Sequence, residues 1–183
     1  MMKSATTPDL WVFGYGSLMW RPGFDYVERM QATLNGYHRS LCILSVHHRG
    51  TLEQPGLVLG LDRGGSCRGI AFRIAPEKTE ATLLYLRERE QVTMVYRETR
   101  HRLRLDTGER VEGVAFTADR SHSQYARKLS HEALVERVRH GVGVSGNNPD
   151  YVRATVVELA HMGIKDRTLT RIVASLERGG AGD

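Results

Sequence analysis

The chain has 183 residues, 40% of them hydrophobic and 26% charged, with a formal net charge of +5. This is the make-up of an ordinary globular protein, long enough to bury a core without staples and too short for two large domains, so a single domain over 1–183 with its core at about 10–178 is expected. No apolar run approaches the roughly 18 residues of a membrane span, and Cys42 and Cys67 form no CxxC pair of the kind that marks zinc knuckles or thioredoxin-type sites.

The opening segment MMKSATTPDL lacks the apolar h-region of a secretory signal, which points to a cytoplasmic protein with reduced thiols. Residues 10–15 then read as a first strand and YHRSLCILS at 37–45 as a second. GLVLGL at 56–61 and CRGIAFRI at 67–74 read as two strands joined by 62–66, where Gly64-Gly65 suits a hairpin turn. PEKTEATLLYLRERE at 76–90 reads as a helix, with Pro76 in its first turn and Leu83, Leu84 and Leu86 in its apolar stripe. Strands follow near 95–105 and 110–117, joined by a turn at 106–109. In the first of these Arg100, Arg102 and Arg104 alternate with His101, Leu103 and Leu105, which predicts one solvated face and one core face. Beyond residue 120 the pattern turns helical. Ser130 caps a helix running to His140 and ended by Gly141. Asn148 caps the next, with Pro149 at its first position and Asp150 where the dipole favours an anion, and Asp166 caps a last one to about Arg178. Short turns between strands favour an antiparallel or mixed sheet, and many short strands suit a closed or nearly closed barrel. The fold class is therefore α+β, a small mixed or antiparallel β-barrel with surrounding helices.

The first strand runs into WVFGYGSLMW, where Gly14-Tyr15-Gly16-Ser17 makes a turn. Three known glycine turns fail there. A dinucleotide fingerprint needs a third glycine where Met19 stands, a P-loop needs a lysine that is missing, and a nucleophile elbow needs glycines where Tyr15 and Met19 flank Ser17. What is left is a plain tight turn, or a strand-end nest whose backbone N–H groups hold a carboxylate or a developing oxyanion. YLREREQVTMVY at 85–96 puts Glu88 and Glu90 near a helix C-terminus, where the dipole raises a carboxylate's pKa. The stretch reads either as a solvated charged face or as the seat of a general acid/base. The eight histidines are spread out, HExxH is absent, and His47-His48 on a strand point to opposite faces, so no metal site is expected. The positive charge serves solubility or draws anionic small molecules. Its densest place, RETRHRLRL at 97–105, lacks the interleaved aromatics of a nucleic-acid surface, so neither nucleic acid nor membrane is expected as a partner. The residues nominate no particular oligomeric state.

VFGYGSLMW followed in order by HRG, PGLVLGL, YLRERE and SGNNPDYV resembles the ChaC-type γ-glutamylcyclotransferase family, with similarity from about residue 10 to 176. The resemblance implies a small mixed barrel with helices packed around it. It implies release of 5-oxoproline from a γ-glutamyl compound, with glutathione as the small-molecule substrate, Cys-Gly as the other product, and no metal or organic cofactor. It matches Gly14, Tyr15, Gly16, Ser17, Leu18 and Met19 to the family's substrate-binding loop, and Glu90, after Arg89 and a YL pair, to the catalytic acid/base. Tyr96 matches the tyrosine six residues further on, and Tyr151 a late tyrosine near the pocket. Where family members often have glycine just before the first of these tyrosines, this chain has Met94-Val95, and where animal members tend to carry aromatics it has Leu41-Cys42. The same barrel could act on other γ-glutamyl amino acids or amines, or serve as a non-catalytic small-ligand module; the retained Glu90 speaks against the last.

Overall fold

The structure, a computed structural model, describes residues 9–179. The segments beyond, including most of the opening MMKSATTPDL stretch, lie outside the described residues. The elements are β1 (Leu10–Gly14), a 3-10 turn (Ser17–Met19), β2 (Glu28–Ser45), β3 (Gly56–Ile74), a 3-10 segment (Pro76–Lys78) leading into α1 (Thr79–Glu90), β4 (Tyr96–Leu105) and β5 (Arg110–Ala118). After them come α2 (His131–His140), the short strands β6 (Val142–Gly143) and β7 (Gly146–Asn147), α3 (Asn148–His161) and α4 (Arg167–Arg178). The chain gathers into two compact units, one of residues 9–38 with Arg63–Thr117, the other of Arg39–Asp62 with residues 118–179. Among the described residues no helix is long and apolar enough to cross a membrane.

Five strands close a barrel in the order β1-β3-β2-β4-β5. In the first unit β1 lies antiparallel to β3, from Leu10 opposite Ile74 to Gly14 opposite Ile70, and parallel to β5, with Trp11 opposite Gly113 and Val12 opposite Val114. Paired on both edges, β1 is buried along its whole length, which is why LWVFG is a continuous apolar run rather than an alternating one. β2 lies antiparallel to β4, with Leu34 opposite Leu103. Along β4 the expected alternation holds: Arg100, Arg102 and Arg104 are exposed while Leu103 and Leu105 are buried. The barrel is thus mixed, as the short connections foretold, with five strands rather than the six short ones expected.

Two strand readings need correction. β2 begins at Glu28, nine residues before the expected start, because ERMQATLNG carries too few apolar residues to read as a strand alone. The 62–66 segment is not a hairpin: β3 runs through it unbroken, with Gly64 at φ +102° and Gly65 at φ +69°. Glycines in the left-handed region serve a bulge as readily as a reversal. Here the strand continues past both glycines, and the Gly64 carbonyl meets His38 Nδ1 of β2 at 2.9 Å. Helix α1 also turns differently from its expected stripe. Thr82 and Leu86, one turn apart, are buried, while Leu84 on the other side is 58% exposed.

In the second unit α2, α3 and α4 pack on one another around Val138, Val152, Leu159 and Ile172, all at most 1% exposed. Ser130 Oγ accepts from Ala133 N at 3.1 Å and Asp166 Oδ1 from Leu169 N at 3.0 Å, so both act as the N-caps their sequence positions foretold. The α3 cap is displaced by one residue. Asn147, not Asn148, accepts from Asp150 N at 2.8 Å. Asn148 is fully buried and its amide grips the backbone of Leu57 on both sides, Nδ2 donating to Leu57 O at 2.8 Å and Oδ1 accepting from Leu57 N at 2.7 Å. A primary amide offers the same donor–acceptor pair as a backbone peptide, so it satisfies both polar groups of the buried Leu57 backbone.

Candidate active site

The glycine turn and Glu90 both belong to the first unit. At the end of β1 a Cβ on Gly14 would crowd Leu18 Cβ at 3.1 Å and Met19 N at 3.3 Å, and a Cβ on Gly69 of β3 would strike the Gly14 carbonyl. Glycine at these places lets the chain fold back tightly on itself. Met19 N donates to Gly16 O at 2.9 Å and Arg21 N to Ser17 O at 2.8 Å. A 3-10 turn leaves its first N–H groups without an acceptor inside the turn. Among the described residues the N–H groups of Gly16, Ser17 and Leu18 have no backbone acceptor. Tyr15, Leu18 and Met19 are buried and hold the turn to the core, while Gly16 is half-buried and Ser17 exposed. The turn thus presents backbone and one hydroxyl outward and anchors itself with its other side chains.

Glu90 is the last residue of α1, and its side chain is 17% exposed. Burial pushes its carboxyl above the usual carboxylate range; the Arg89 guanidinium, with Nε 3.4 Å from Oε1, pulls the other way and does not prevail. The carboxyl is raised, as expected, but its cause is desolvation rather than the helix dipole. Glu88, two residues earlier, is exposed.

Arg89 holds the two parts of the site together. Its Nη2 donates to Ser17 Oγ at 2.9 Å. Its Nη1 reaches Arg21 O at 2.7 Å, Pro22 O at 3.1 Å and the Tyr85 hydroxyl at 3.0 Å. Gly23, at φ +75°, makes room for that hydroxyl, since a Cβ there would overlap it. Sequence reasoning did not single out Arg89, Tyr85, Gly23 or Gly69. The local signal was the arginine directly before Glu90; its partners lie up to 72 positions away.

Beyond Glu90 the helix ends with Gln91 N donating to Arg87 O at 3.0 Å, and Met94 N donates to Gln91 O at 3.1 Å. Met94, 62% exposed, stands at φ +59°, in the left-handed region where glycine is at ease. Val95 is buried and delivers the chain to Tyr96, whose carbonyl accepts from Gln91 Nε2 at 3.3 Å. The connecting turn therefore keeps a glycine-like backbone without the glycine.

Tyr151 belongs to the second unit, on α3. Its hydroxyl accepts from Leu59 N at 3.0 Å, and the Arg49 guanidinium carbon lies 5.4 Å from its ring centre. Leu41 and Cys42, at the departure from the animal members, are buried. Burial and the nearby Asp62 push the Cys42 thiol up to about 12, and Cys42 and Cys67 are both free thiols. Among the described residues no group of three or more His, Cys, Asp or Glu side chains is placed to hold a metal ion.

Comparison with known proteins shows the family. The family model described as ChaC-like protein matches residues 10–179. A glutathione-specific γ-glutamylcyclotransferase of Escherichia coli K12 is 34% identical over 177 residues, covering 95% of this chain and 77% of that protein. Glutathione-specific γ-glutamylcyclotransferase 1 of Homo sapiens is 31% identical over 170 residues, covering 90% and 77%. A crystal structure of a γ-glutamyl cyclotransferase specific to glutathione from yeast superposes with a TM-score of 0.81 at 21% identity, covering 94% of this chain and 97% of that one. With a family model spanning nearly its whole length, and relatives above 30% identity over most of theirs, the chain belongs to the ChaC-like family.

Proposed function

We propose that this protein is a γ-glutamylcyclotransferase that converts glutathione to 5-oxoproline and Cys-Gly, with Glu90 as the general acid/base. The observation that carries the reading is a largely buried carboxylate of raised pKa at the end of α1, tied through Arg89 to a glycine turn whose N–H groups at 16–18 have no backbone acceptor among the described residues. The relatives named for the same reaction on glutathione support the substrate.

A γ-glutamyl group carries its own nucleophile, the α-amine. Glu90 takes a proton from the α-ammonium, and the amine nitrogen then bonds to the γ-carbonyl carbon, closing a five-membered ring and placing negative charge on the carbonyl oxygen. The C–N bond to cysteine breaks as that charge collapses, protonated Glu90 returns its proton to the leaving amine, and the ring nitrogen sheds its remaining extra proton to that amine, so that 5-oxoproline forms as the neutral lactam and Cys-Gly leaves as its ammonium. No water is consumed and no enzyme nucleophile is required, which agrees with the failure of every serine motif around Ser17. Folding the γ-glutamyl arm into near-attack geometry contributes about 7–11 kcal/mol, and a carboxylate of tuned pKa about 10²- to 10⁴-fold. The N–H groups of residues 16–18 hold a substrate carboxylate or the oxyanion. Tyr15, Leu18 and Met19 shape the loop that carries them.

The test is incubation of the protein with reduced glutathione and detection of 5-oxoproline and Cys-Gly by mass spectrometry, with Glu90→Gln alongside. Both products from the wild type and neither from the variant are expected. Turnover of other γ-glutamyl amino acids or amines in place of glutathione would refute the substrate and keep the reaction class.

A further inference from the structure

We propose that Arg89 is a positioning residue for the cyclisation: its guanidinium locks the segment from Ser17 to Pro22 onto the end of α1 and thereby sets where the turn stands relative to the Glu90 carboxylate. The inference rests on the reading of Glu90 as the acid/base. Three observations support it. The guanidinium reaches four acceptors besides Glu90, namely Ser17 Oγ, the Arg21 and Pro22 carbonyls and the Tyr85 hydroxyl. Five donors in a rigid planar fork can serve such a spread; a lysine ammonium, a point charge on a flexible stem, cannot. The approach of Tyr85 depends on Gly23 having no Cβ and a left-handed backbone, so part of the loop is shaped around this network. Finally, a hydroxyl that accepts from Arg89 keeps its own O–H to donate. Ser17 is exposed and so offers an oriented donor beside the N–H groups of the turn.

Arg89 also acts on Glu90 directly. The charged groups on the adjoining elements are Glu88 and Arg87 on α1, Arg21 in the turn segment, and Arg97 and Glu98 on β4, with Arg87 held by Glu98 at 2.6 Å. Arg89, with Nε 3.4 Å from Glu90 Oε1, favours the ionised form that accepts the substrate's proton.

Arg89→Lys and Arg89→Gln separate positioning from bracing. Each is assayed for kcat and KM with glutathione, for the pH profile of kcat/KM, and for melting temperature, with Glu90→Gln measured in parallel. Arg89→Lys is expected to lose about 10- to 100-fold in kcat/KM, the effect of misplacing a reacting group by about an ångström, while its acidic limb stays in place because the charge is kept. Arg89→Gln is expected to show a similar loss and an acidic limb moved to higher pH. An Arg89→Lys enzyme with wild-type kcat/KM, an Arg89→Gln enzyme whose limb does not move, or losses in both that follow only the unfolded fraction would overturn the inference. If Glu90→Gln keeps full turnover, the acid/base reading falls and takes this one with it. An inactive Glu90→Gln with wild-type-like Arg89 variants removes the Arg89 inference alone.

Discussion

Replacing Glu90 with glutamine keeps the shape of the side chain and removes both its charge and its capacity to carry a proton. General acid/base catalysis is worth about 10²- to 10⁴-fold, so turnover of glutathione should fall by that factor, equivalent to about 2.7–5.4 kcal/mol of transition-state stabilisation. Stability should move the other way. The carboxyl is only 17% exposed, and burial outweighs the attraction of Arg89, so its pKa is higher in the folded protein than in the unfolded chain. A folded state that binds the proton more tightly is favoured at low pH, and that advantage is lost as pH rises through the folded pKa. Glutamine does not titrate. Glu90→Gln should therefore gain melting temperature relative to wild type at neutral pH, and the gain should shrink as pH falls from the raised folded value toward the ordinary glutamate range. Product formation followed by mass spectrometry and thermal melts between about pH 4 and pH 8 test both halves. Wild-type turnover would refute the role of Glu90; a melting difference that is constant with pH, or of opposite sign, would refute the account of its burial. The outcome expected is a site where function costs stability, as placing an ionisable group in a desolvated position requires.

Other expectations follow from single contacts. Asn148→Leu leaves the buried N–H and C=O of Leu57 unpaired, at about 1–3 kcal/mol each, so urea denaturation should show a loss of about 2–6 kcal/mol; a loss below about 1 kcal/mol would mean water or a neighbour replaces the amide. Met94→Gly relieves a left-handed backbone worth about 1–2 kcal/mol against about 0.5–1 kcal/mol of added chain entropy, so it should leave stability unchanged or raise it by up to about 1.5 kcal/mol, while a β-branched Met94→Val lowers it. Cys42, buried with its thiol pushed up to about 12, should resist a thiol reagent at pH 8 in the native protein and react on unfolding; fast native labelling would contradict its burial.

Much of this protein is written in short stretches of its chain. Ser130 and Asp166 cap helices through bonds to residues three positions on, so nearby sequence suffices to recognise them. Period-two alternation in β4 encodes its two faces directly, and the ordered motifs around Gly14–Ser17 and Glu90 carry the family resemblance. Other features depend on partners far along the chain. Gly64-Gly65 has the local chemistry of a hairpin, and only the structure shows the strand running on through it, with the Gly64 carbonyl against the His38 ring of β2. Asn147 and Asn148 are equally good caps by composition. Asn148 is drawn instead to Leu57, 91 positions away, because that backbone is buried and must be paired. The same holds at the site. The motif marks Glu90, but neither its desolvation nor the four acceptors gathered by Arg89 is visible in the residues beside it. Backbone propensity and capping act over three or four residues and are legible locally; burial and long-range hydrogen bonding exist only once the barrel has brought distant segments together.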